Sequence, residues 1–280
     1  MGMSTRNPHS ALVPFVAPPI GADPSLAFQP ALEPESRPVP GLDYYGACRP
    51  ASNVSGDFFD FIPLDEHRLL ASIGEAPGPS IPSLAVMTAV DSYFGGIAAG
   101  DPDALTAAAS RLNRALCNVG SAGSIATLFC ACIDPLRRVL RYLSAGHEPA
   151  LLFRLNRFRV HRLEATGTVL GLTSRTVFRQ RTVSLDPGDV LIAFTGGVSD
   201  AVDRAGRALG EGGVAEALRD HRNDPPQILV ERVLEAAARY GHGAGQPADQ
   251  TAVAVRFAGS AGSLNDGRAA TFAFAAAWLR

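Results

Sequence analysis

The chain has 280 residues, 46% hydrophobic and 19% charged, which is enough apolar material for one large domain or two small ones. Its net charge of −2 argues against a non-specific grip on nucleic acid or on an acidic membrane. All 25 basic residues are arginine, so a Schiff-base lysine and a phosphate-loop lysine are both excluded.

Residues 1–40 carry scattered prolines among Ser, Ala and Gly with no helical or strand period, and read as a disordered leader or linker. No apolar stretch approaches the ~20 residues of a membrane span, and the N-terminus lacks a sustained apolar signal core. The expectation is a soluble cytoplasmic protein. One ordered domain is expected over 41–258, followed by a Gly/Ser-rich tail, 259–280, whose apolar end has no assigned structure.

Within the domain, 42–48, 57–64 and 68–74 are short β-like runs separated by turn residues. Residues 81–100 read as an apolar helix with Pro82 in its first turn, and 101–120 as an amphipathic helix with Leu105, Ala108, Leu112 and Leu116 on one face. Strands follow at 124–134 and 139–146, joined by the turn DPLRR, and then at 150–154, 158–163, 177–185 and 189–194. Helices at 212–221 and 225–241 and a strand at 251–257 close the domain. Strands, two helices, more strands, two helices and a last strand describe a layered α+β domain and not a βαβ repeat. Among Cys48, Cys117, Cys130 and Cys132, the last two lie on one face of an apolar strand, where buried free thiols are ordinary.

Seven segments occur in order: SGDFFDF (55–61), IGEAPGPSIPSLAVM (73–87), TLFCACIDP (127–135), SAGHEPALLFR (144–154), LGL (170–172), DPGDVLIAFTGGVSDA (186–201) and ADQTAVAV (248–255). Together they resemble the landmarks of the SpoIIE-type bacterial Ser/Thr phosphatases, within the metal-dependent protein phosphatase (2C type) superfamily. The resemblance implies a four-layer α-β-β-α sandwich, two antiparallel sheets flanked by helices, with a metal centre at one edge. It also implies hydrolysis of a phosphomonoester by two Mg²⁺ or Mn²⁺ ions roughly 4 Å apart, which supply hydroxide and neutralise developing charge. Such hard cations take carboxylate oxygens.

The resemblance implies four acidic ligand positions. The first is kept as Asp57; the second is Glu75, which keeps the charge but adds a methylene; the third is Gly196 and the fourth Ala248, which carry no carboxylate. The short G-x-G segment before the first helix reads Gly78, Pro79, Ser80. Two dications would thus meet a protein charge of about −2 in place of −4, too little for ions that dehydrate reluctantly. Asp60, Asp200 and Asp249 lie one to four residues from these positions and are candidate compensating acids, Asp249 above all.

Plainer readings stand beside these. Asp57 reads equally as an acid capping the turn before a strand, and Glu75 as a solvated turn residue. His147 reads as a turn residue and not a base; His67, His161, His221 and His242 show no zinc spacing. Ser124 and Thr127 have no base in a recognisable motif. Arg154, Arg157, Arg159 and Arg162 read as the solvated face of a hairpin, with phosphoprotein docking as the lesser alternative. The expected function is a regulatory pseudophosphatase module. It would bind a phosphorylated antagonist-type signalling protein or its kinase in partner switching, with no nucleic-acid partner. The alternative is an active Mn/Mg-dependent phosphatase with a remodelled site, in which Asp57, Glu75 and Asp200 or Asp249 hold one ion.

Overall fold

The computed structural model describes residues 38–52, 55–76, 83–97, 101, 103–118, 125–154, 159–241 and 247–259. Two five-stranded antiparallel sheets lie face to face. One runs in the order β1 (Leu42–Arg49), β10 (Gln250–Phe257), β9 (Val190–Phe194), β6 (Ala150–Arg154), β7 (Arg159–Leu163). The other runs β2 (Asp57–Pro63), β3 (Leu69–Glu75), β4 (Thr127–Asp134), β5 (Val139–Ala145), β8 (Arg181–Ser184). Helices α1 (Ser83–Phe94) and α2 (Ala104–Asn118) cover the second sheet; α3 (Gly196–Ser199), α4 (Gly210–Ala217) and α5 (Pro226–Tyr240) cover the first. The expected α+β sandwich of four layers is the observed architecture.

Strand periodicity builds these layers. In β4, Phe129, Ala131 and Ile133 enter the core between the sheets, whereas Leu128, Cys130 and Cys132 enter the core under α1 and α2. A strand buried on both faces reads as a continuous apolar run, which is how TLFCACI reads. Cys130 and Cys132 are free thiols inside that helix-facing core, as expected. In β2 the same alternation sends Phe59 inward and Phe58 outward.

Several boundaries differ from expectation. The first helix ends at Phe94, before Gly95 and Gly96, and α4 spans Gly210–Ala217 instead of 212–221. The ladder of β8 holds only Arg181–Ser184, because the preceding Phe178 leaves the strand path to fill the α1/α2 core. The one-turn α3 was not foreseen; four residues cannot show a helical period. The leader falls outside the described residues except at its end, where Val39 is buried in the inter-sheet core; of the 259–280 tail, only Gly259 is described.

Arg154 corrects one expectation. It does not lie on a solvated face: it is buried, and its guanidinium donates to Asp189 Oδ2 at 2.7 Å. The same oxygen accepts the Asp186 N–H at 2.8 Å, tying the turn before β9 to β6. Arg157 lies outside the described residues, while Arg159 and Arg162 are exposed as expected. Removing one member of such a pair strands a buried charge. Asp189→Ala is therefore expected to lower unfolding stability by about 3–5 kcal/mol. Arg162→Ala, at an exposed pair, is expected to cost about 1 kcal/mol or less. Urea unfolding of the two variants tests the contrast.

Candidate functional site

The antiparallel register of β2 and β3 places Asp57 directly opposite Glu75, so both side chains share one face at the end of the sandwich. Asp57 Oδ2 accepts hydrogen bonds from the hydroxyls of Thr195 and Thr251, each at 2.7 Å. Thr195 follows β9 and Thr251 lies in β10, so one carboxylate of the second sheet is clasped by two strands of the first. The threonines also bond each other through Thr251 N–H to Thr195 Oγ1 at 3.0 Å. Burial pushes the Asp57 carboxyl up to about 7; the two hydroxyls oppose that rise, and the charges of Glu75 and Asp249 add to it.

Glu75 Oε1 accepts the Gly196 N–H at 2.6 Å. Its carboxyl is also raised, first by burial and then by Asp200 and Asp249, against the Gly196 hydrogen bond. A Cβ built on Gly196 would stand 3.4 Å from both Glu75 Oε1 and Asp200 Oδ2, so these two oxygens can be no further apart than twice that distance. Asp200 caps the C-terminus of α3 and donates its N–H to the Gly196 carbonyl. Gly197 has no room for a side chain, since its Cβ would overlap the Asp249 carbonyl oxygen at 1.9 Å.

Asp249 is turned to the loop before β2. Its Oδ1 accepts the Ala51 N–H at 2.7 Å, and its Oδ2 accepts the Gly56 N–H at 2.6 Å and the Ser55 hydroxyl at 3.0 Å. Ala248, one residue earlier, is exposed. The structure thus brings Asp57, Glu75 and Asp200 to one mouth, with Asp249 beside them but engaged by the loop. Asp60 is not brought there. It sits three residues along β2, on the opposite face, where Asp91 of α1 hydrogen-bonds it.

His147 is buried, and burial pulls its imidazole down to about 3. Its Nδ1 lies 3.0 Å from the Thr127 hydroxyl, which itself accepts the Glu75 N–H at 3.1 Å. His147 is a neutral prop behind β3, in keeping with its reading as a turn residue, and Thr127 is a link in that prop. Ser124 and His242 lie outside the described residues. Among the described residues, no three of His, Cys, Asp or Glu converge as a metal-binding group. The sequence reasoning missed Thr195 and Thr251. Their only signal was position, each inside a segment already singled out: DPGDVLIAFTGGVSDA and ADQTAVAV.

Residues 65–257 match the family model of stage II sporulation protein E (SpoIIE). Two curated relatives are phosphoserine phosphatase RsbU of Bacillus subtilis and Protein IcfG of Synechocystis sp. RsbU is 24% identical over 70% of this chain and 57% of its own length. IcfG is 33% identical over 39% of this chain and 17% of its own length. The chain therefore spans less than two thirds of either relative. Among solved structures, the SiaA PP2C domain of Pseudomonas aeruginosa superposes with a TM-score of 0.66 at 22% identity, over 76% of this chain and 85% of that one. This last likeness concerns the fold.

A carboxyl raised by burial binds its proton more tightly in the folded state than in the unfolded one. Stability therefore falls as pH rises from the ordinary carboxylate value toward about 7, and is greatest below that window. Asp57→Asn keeps an acceptor for both threonines and removes the titration. In chelator, the stability of the variant relative to the parent is expected to increase between pH 4.5 and 7, as read from thermal unfolding at each pH. A constant difference would contradict the assigned burial cost.

Proposed function

Because the chain belongs to the SpoIIE family of PP2C-type phosphatases, we propose that it is a non-hydrolysing member, a regulatory module that binds a partner-switching protein without removing phosphate. The observation that carries this reading is the state of the carboxylates. Asp57 Oδ2 holds two hydroxyls, Glu75 Oε1 a backbone N–H, and both Asp249 oxygens backbone donors. A dinuclear Mn²⁺ or Mg²⁺ centre needs several such oxygens turned together toward the ions. Gly196 and Ala248 supply none, and Asp249 could do so only by releasing the loop before β2. The residues present do not fit a two-metal centre.

The family membership and the RsbU likeness support a phosphorylated antagonist-type protein, or its kinase, as the partner. The framework segments PGDVLIAF and SAGHEPALLF form strands β9 and β6 in the buried core, so the scaffold that would carry a binding surface is intact. The competing reading is a weak phosphatase in which Asp57, Glu75 and Asp200 hold a single ion; the closeness of Glu75 and Asp200 favours it.

Hydrolysis of a phosphoserine peptide with excess Mn²⁺ distinguishes the two. The parent is expected to show no turnover above that of Glu75→Ala. Mn²⁺-dependent turnover that disappears in Glu75→Ala would establish the competing reading. A second test restores ligands. Gly196→Asp with Ala248→Asp adds one carboxylate beside Glu75 and Asp200 and one at the exposed position 248, and without metal like-charge repulsion is expected to lower Tm by about 2–4 °C. Mn²⁺ is expected to raise the Tm of this double variant and leave the parent unmoved. A double variant indifferent to Mn²⁺ would show that the site has lost more than ligands.

A further inference from the structure

The two sheets end on one flank in β7 and β8, each bonded to a neighbour on one side only. Leu163 of β7 and Val183 of β8 pack into the same inter-sheet core, which also holds Leu140 and Tyr142 of β5. By strand alternation, Arg159 and His161 share the inward face of β7 with Leu163, and Arg181 shares that of β8 with Val183. All three are exposed, so they line the open mouth of the sandwich beyond the core. Arg181 also hydrogen-bonds the Tyr142 phenol.

Charge and main-chain pairing on this flank point the same way. Residues 159–184 contain five arginines and one acid, Glu164, in a chain whose net charge is −2. Arg162 is engaged by Glu164 and Glu211. Arg159, Arg175, Arg179 and Arg181 are exposed and have no acidic partner among the described residues. Leu172 and Val177 beside them are 60% and 73% exposed. The Leu185 N–H donates to the Arg138 carbonyl at 2.8 Å, so alternation along the antiparallel pair turns the main-chain groups of Thr182 and Ser184 away from β5, toward solvent.

We propose that this flank is a docking site for an acidic, extended segment of a partner protein, added as a strand along β8 with its carboxylates facing Arg159, Arg179 and Arg181. An open strand edge is a template for another strand. Like charge keeps a second copy of this flank away, while opposite charge selects an acidic strand. Exposed Val177 and Leu172 extend the site with apolar surface, and the unused N–H and C=O groups favour a polypeptide over a nucleic acid. The inference gives the proposed binding module a place to hold its partner. It is read by binding and not by turnover, so it stands or falls apart from the state of the Asp57 site.

The test uses the full chain and a fluorescent peptide of alternating Glu and Thr, about twelve residues long, followed by anisotropy at low salt. The triple variant Arg159→Glu/Arg179→Glu/Arg181→Glu is expected to weaken binding by at least about tenfold. A control triple elsewhere on the surface, Arg204→Glu/Arg219→Glu/Arg239→Glu, is expected to leave it within about twofold. Thr182→Pro removes an outward N–H without touching the β5 ladder and is also expected to weaken binding. A Gln–Thr peptide is expected not to bind. Equal loss in both triples, unchanged binding in Thr182→Pro, or equally tight binding of an oligothymidine would each overturn the proposal.

Discussion

The molecule turns on a carboxylate buried between two sheets. Asp57 belongs to the second sheet, and its two hydroxyl donors come from β9 and β10 of the first. Removing an acid from water is costly unless its oxygens are satisfied, and two short hydroxyl bonds satisfy one of them. Those bonds fix the separation of the sheets where α3 begins, and hence the position of the Gly196 N–H that holds Glu75. The loop before β2 is placed by the neighbouring acid, Asp249, through Ala51, Ser55 and Gly56. The Ser83 hydroxyl at the start of α1 donates to the Ser55 carbonyl at 2.7 Å, so the helix layer is coupled to the same loop. The acids of the mouth thus act as acceptors that stitch β2, β3, β9, β10 and α1 together.

Acids this close repel one another, and the protein has two ways to relieve that repulsion. One is to bring donors, which Thr195, Thr251, Gly196 and the 51–56 loop do. The other is to retain protons: burial raises Asp57 and Glu75, and Glu148 nearby is raised by burial and by Asp200 and Glu75. Metal ions would be a third way, and they compete with both of the others for the same lone pairs. Under the proposed reading, the hydrogen-bonded arrangement is the resting state of the mouth and not a preparation for ions.

Layer order was legible in the sequence because it follows from period. β4 is a continuous apolar run and is buried on both faces; α2 shows its apolar stripe and buries Leu105, Ala108, Leu112 and Leu116. The site was legible by residue type at Asp57 and Glu75, but not by orientation. Parity along β2 was available to set Asp60 on the far face, since Phe58 and Phe59 must divide between two cores. Asp249 was different. Whether its side chain turns toward Glu75 or toward the 51–56 loop depends on where a loop 193 residues away ends, as its bond to Gly56 shows. Arg154 was misplaced for the same reason: its partner, Asp189, lies 35 residues on and only the fold brings them together.

The charge pattern bears on how a phosphorylated partner would sit. The mouth gathers Asp57, Glu75, Glu148 and Asp200, and its field turns negative as the raised carboxyls of the first three lose their protons. A phosphate entering that mouth without cations would meet like charge, whereas the β7/β8 flank meets it with arginines. Cations bound at such a mouth would invert its field and draw phosphate in. Under the proposed reading, with no ions at the mouth, the exposed arginines of the β7/β8 flank carry the pull of this chain on an anionic partner. On that reading, binding without hydrolysis follows from where the positive charge of this chain lies, at the flank and not at the mouth.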